Sequence, residues 1–72
     1  MEVEATVILV NKMGVKAVSE AMRIMLPRDL HVAAAFTALQ VGDKIRVRVL
    51  HSRAQKRLHG GAFILAIGML VA

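Results

Sequence analysis

The chain has 72 residues, enough for one domain, and a domain this short buries only about 60% of the surface its unfolded form exposes. It has no cysteine, which excludes disulfides and thiolate metal sites, and its three histidines, His31, His51 and His59, are scattered without ligand spacing. Ten Lys and Arg against five Asp and Glu give a net charge of +5, and hydrophobic residues make up 57% of the chain. The first suits nucleic acid or an acidic partner; the second exceeds the usual share of roughly 45–50% and leaves apolar surface for another chain to cover.

Glu2 to Val10 reads as a strand: Glu2 and Glu4 alternate with Val3 and Ala5, and the β-branched run Val7-Ile8-Leu9-Val10 follows. Asn11-Lys12-Met13-Gly14 is a turn, with Gly14 free to take positive φ. Val15 to Val18 is a second strand, Ser19-Glu20-Ala21 a turn, and Met22 to Leu26 a third strand, ended by Pro27, which cannot donate to a ladder. Val32 to Leu39 has the spacing of a short helix, with Val32, Ala35, Phe36 and Leu39 on one face and Asp29 before it as a cap. After the turn Gln40-Val41-Gly42-Asp43 comes the clearest segment, Lys44 to Leu50. Its strict period of two sets Lys44, Arg46 and Arg48 against Ile45, Val47 and Val49, as in a half-buried strand. His51 to Gly61 reads as a basic loop, and Ala62 to Leu70 as the last strand.

The order β-β-β-α-β-β predicts an all-β domain spanning residues 1–72: a five-stranded barrel of the oligonucleotide-binding (OB) type, with a helix between strands three and four. Closure would also protect apolar strand edges from pairing with other chains. The strands run close to both ends of the chain, which raises the expectation of a domain excised from a longer protein. The longest apolar stretch, Ala62 to Ala72, is 11 residues, whereas a spanning helix needs about 20. With an acidic start, no targeting signal and no cysteine, the expected location is intracellular, cytoplasmic or nuclear.

The segments Gly14–Val18, Ile24–Leu30, Val41–Leu50 and Phe63–Gly68 resemble the S-one RNA-binding domain, a branch of the OB fold, most closely over Val41–Leu50. Many domains of that family present aromatic residues on the second and third strands; here those strands carry Lys16, Met22 and Met25. The glycine turn, the stretch Leu26-Pro27-Arg28-Asp29-Leu30-His31 and the strand Val41–Val49 are similar to the OB domain of the stalk (seventh) subunit of multisubunit RNA polymerases. That resemblance implies a module seated in a larger complex and touching single-stranded RNA weakly.

For phosphate contacts, Lys44, Arg46 and Arg48 share one strand face, Arg53, Lys56 and Arg57 share the basic segment before the final glycines, and Lys12 and Lys16 flank the first turn. A solvated sheet face and an ordinary polar loop are the plain alternatives. Arg23 and Arg28 are secondary candidates, and Phe36 and Phe63 are assigned to the core. Ser19 and Ser52 lack His and Asp partners at motif spacing, and no carboxylates pair, so no catalytic residue, metal site or cofactor is expected. The expected function is a non-catalytic, nucleic-acid-associated module of transcription machinery. Two alternatives stand beside it. One is an assembly or self-association barrel without nucleic acid. The other is a swapped-hairpin dimer on DNA, to which Leu26–Leu30 and Gly42–Ile45 have a loose likeness.

Overall fold

A computed structural model describes residues 1–31, 38–56 and 58–71. Their strands are β1 (Glu2–Asn11), β2 (Gly14–Ser19), β3 (Met22–Pro27), β4 (Lys44–Lys56) and β5 (Ala62–Leu70), with a 3₁₀ turn at Arg28–Leu30 between β3 and β4. They form a closed barrel in the order β1-β2-β3-β5-β4. All neighbours are antiparallel except β3 and β5, which run parallel from Met22↔Ile64 to Met25↔Ile67. The expected all-β, five-stranded barrel with a short helical turn between its third and fourth strands is what forms. The helix expected over Val32–Leu39 falls mostly on 32–37, outside the described residues.

The turns follow from local chemistry. Asn11 Oδ1 accepts from the backbone N–H of Met13 at 2.8 Å and of Gly14 at 3.2 Å, closing the first hairpin. Gly14 has φ +151°, and a Cβ there would run into the Leu26 carbonyl across the sheet. The second hairpin turns through Glu20 and Ala21, with Glu20 at φ 52°. Asp43 Oδ2 accepts from Gln40 N–H at 2.9 Å, and this turn docks on β1 through Val7 N–H to Asp43 O and Gly42 N–H to Val7 O, both 2.8 Å.

The core is assembled from the inward positions of each strand. Val7, Ala17, Ile24 and Ala66 make one row across β1, β2, β3 and β5, and Ala5 with Ile45 and Val15 with Leu26 make neighbouring pairs. All of these are buried, and they are small or β-branched for the most part. Gly68 lets the wall approach: a Cβ there would strike Val47 Cγ1 and come within 3.2 Å of Ile24 Cγ2.

The main correction concerns β4. His51 to Lys56, expected in a loop, continue the strand and pair with Ala62–Ile67 of β5. The register shifts between Val49 and His51, so Leu50 is a bulged residue where β4 leaves the barrel. Its pairing with β1 covers only Lys44 to Arg48. Beyond that point β4 runs on as an exposed arm paired only with β5, whose Ile64–Ile67 stay in the ladder with β3, and the molecule reaches 39 Å along its long axis against 22 and 19 Å across. A strand of this kind has no core on its inner face, so nothing imposes apolar alternation on it. That is why its sequence resembles a loop.

Candidate nucleic-acid interface

Lys44, Arg46 and Arg48 do share the outer face of β4, and all are exposed. Across the strand pair they face Thr6, Glu4 and Glu2 of β1 in turn. Arg48 Nη2 lies 3.3 Å from Glu2 Oε2. Charges directly opposite on one sheet face interact, so this stripe is of mixed sign.

A different set of side chains converges on the other side of the barrel. The register places Leu9, Lys16, Met25, Ile67 and His51 in one row across β1, β2, β3, β5 and β4, and Thr6, Val18, Arg23, Leu65 and Arg53 in the next. These are the outward positions, alternating with the buried Ala17, Ile24 and Ala66. Those on β2, β3, β5 and β4 line an open groove of about 850 Å³. Ile8, released from the ladder where β1 shifts register between Val7 and Leu9, lines it as well. The floor is apolar, with Met25, Leu65 and Ile67, and Lys16, Arg23, Arg53 and His51 stand around it. None of its lining residues is an Asp or Glu.

Of the residues chosen from sequence, the groove thus gathers Lys16 and Arg53. It adds Arg23, a secondary candidate, and His51, which had no assigned role. Lys12 sits at the tip of the β1–β2 hairpin, its carbonyl accepting from Arg28 Nη1 at 3.3 Å. Lys56 ends β4 opposite Ala62, and Arg57 lies outside the described residues. The signal for Arg23 was present in the sequence: in Met22–Leu26 the period of two puts Arg23 and Met25 on the face opposite Ile24. What no single strand reveals is that the parallel β3–β5 pairing brings that face beside Leu65 and Arg53.

Phe63, assigned to the core from sequence, is half-buried on the outer side of β5. The Arg23 guanidinium carbon lies over its ring, 4.7 Å from the centroid. Phe36 lies outside the described residues. The charge is also divided along the chain. All five carboxylates fall at or before Asp43, while Lys44 to Ala72 carries six Lys and Arg and no Asp or Glu. The β4–β5 arm and its side of the groove are accordingly free of acidic side chains.

Among the described residues no polar or charged side chain is buried, no three His, Asp or Glu converge as metal ligands, and no helix is long and apolar enough to cross a membrane. Compared with known proteins, the chain matches no family model, no curated protein and no solved structure.

Proposed function

We propose that this chain is a non-catalytic, OB-type barrel that holds single-stranded nucleic acid, RNA foremost, in the groove across β2, β3 and β5. The observation that carries the reading is the groove itself, with Lys16, Arg23, Arg53 and His51 around an apolar floor and no carboxylate in the lining. Cations at the margin attract phosphates without regard to sequence. Met25, Leu65 and Ile67 offer apolar surface to base faces, which a single strand exposes and a duplex hides. The strand order is compatible with an OB barrel, a fold that binds oligonucleotides over its strands two and three and at the β1–β2 and β4–β5 loops, and this supports the reading. The likeness of Leu26–His31 and Val41–Val49 to polymerase stalk subunits is the ground for associating the proposal with transcription.

The test is fluorescence anisotropy of a labelled RNA decamer, single-stranded and then annealed, titrated between about 50 and 200 mM salt. Two to three cations on phosphates predict a log–log slope of about −1.4 to −2 for a single strand, and weaker binding of the duplex. Absence of binding at low salt overturns the proposal.

One observation favours the assembly reading. The β1–β2 hairpin exposes Ile8, Leu9, Val10 and Met13, the last at 75%, and contiguous apolar surface of this kind marks interaction sites. Sedimentation of the chain without nucleic acid separates the two: a monomer that binds RNA supports the first, and an oligomer that does not bind RNA supports the second. The barrel closes within one chain, which weighs against a dimer made by hairpin exchange.

A further inference from the structure

We infer that the guanidinium of Arg23, backed by the Phe63 ring, is a stacking surface for a nucleobase, so that the groove engages a base face and not phosphates alone. The inference rests on the proposed nucleic-acid reading and concerns how that site is used.

Three observations support it. Arg23 lines the groove and Phe63 does not, while the guanidinium carbon lies over the ring at 4.7 Å. The cation therefore lies on the groove side of the pair. Second, Arg23 has no ion-pair partner among the described residues; its position is explained by the ring, which attracts a planar, weakly hydrated cation through its negative face. Arg23 remains exposed beside the ring, so a second planar group can reach the guanidinium. Third, the neighbours of Arg23 on the outer face are Val18 and Leu65, which the register sets on either side of it. A planar apolar group lying on Arg23 would contact aliphatic carbon at its margins, and Arg53, in line beyond Leu65, would reach the phosphate of the same nucleotide. Unpaired bases stack on guanidinium planes as well as on aromatic rings, so the lack of aromatics on β2 and β3 does not restrict the groove to backbone contacts.

The experiment uses the full chain, an RNA decamer carrying 2-aminopurine, a decamer of the same length made of abasic residues, and inorganic polyphosphate as a base-free polyanion. The base-bearing strand should bind about fivefold or more tightly than the abasic one, with quenching of the 2-aminopurine emission. Arg23→Lys keeps the charge and removes the plane. It should weaken the base-bearing strand about fivefold, restore the emission and leave abasic RNA and polyphosphate unaffected. Phe63→Tyr should behave as the wild type, and Phe63→Leu should move towards Arg23→Lys. Equal affinity for base-bearing and abasic strands, or an equal loss on all three ligands in Arg23→Lys, overturns the inference while leaving the groove as a polyanion site. Failure to bind any of the three overturns the proposed function, and this inference with it.

Discussion

His31 Nε2 accepts a hydrogen bond from the backbone N–H of Leu70 at 2.8 Å. Its Nδ1 lies 2.7 Å from the Pro27 carbonyl, and so is the nitrogen that carries the proton. The ring joins the end of β3 to the end of β5 just past Met25↔Ile67, where the parallel ladder stops. A side chain here supplies the acceptor that a continuing strand would have supplied. His31→Ala removes both bonds and should lower stability by about 1–2 kcal/mol. Urea unfolding would show this as a lower midpoint at constant m-value. His31→Gln should recover part of the loss, and an unchanged midpoint in the alanine variant rules this role out.

Glu20 occupies the left-handed region at φ 52°, a conformation that costs an L-residue with a Cβ about 1–2 kcal/mol. It is exposed at a hairpin tip. Glu20→Gly should therefore stabilise the barrel by about 0.5–1 kcal/mol after the added flexibility of the unfolded chain is counted, and Glu20→Asn by less. Thermal unfolding measures it, and destabilisation by both variants contradicts the account.

Gly68 and Val47 are coupled through space. Gly68→Ala drives a methyl into Val47 Cγ1 and should cost about 1–3 kcal/mol. Val47→Ala empties a fully buried position and should cost a similar amount. Each change relieves the other, so the double variant should be about 1 kcal/mol more stable than the sum of the singles. Strict additivity in a double-mutant cycle would falsify the proposed contact.

The groove and the β4 stripe make opposite predictions for cations that look alike in sequence. Lys16→Gln and Arg53→Gln should each weaken single-stranded RNA binding about fivefold at low salt, which corresponds to about 1 kcal/mol per contact in a high dielectric. Arg46→Gln, opposite Glu4, should change it less than about twofold. The reverse ranking would move the interface to the stripe.

That ranking shows where sequence reading was informative and where it stopped. Strict alternation in Lys44–Val49 and the turns at Asn11–Gly14 and Gln40–Asp43 helped to place five strands and to anticipate a barrel, because each is a local property of a few residues. The basic stripe was also legible, but its value depends on what stands opposite, and the pairing of Arg46 with Glu4 is a fact of register between segments 42 residues apart. His51–Lys56 resembled a loop because an arm without a core face carries no apolar period. The groove was hidden for a related reason. Its side chains come from separate strands, and it exists only once β3 and β5 lie side by side.

The same β3–β5 contact has a kinetic consequence. The β1–β2, β2–β3 and β4–β5 pairs are hairpins, whose strands meet by closing short loops. Closure of the barrel requires Met22 to find Ile64, a separation of 64 − 22 = 42 residues, and the entropy of so large a loop is lost before any of its contacts is gained. The chain should therefore collapse early into two units, β1–β2–β3 and β4–β5, and commit to the folded state only when they dock along both seams, β3 on β5 in parallel and β1 on β4 antiparallel. Truncating Ile24 or Ala66, which meet in that ladder, should slow refolding, whereas changes at the arm tip should leave the refolding rate unaltered.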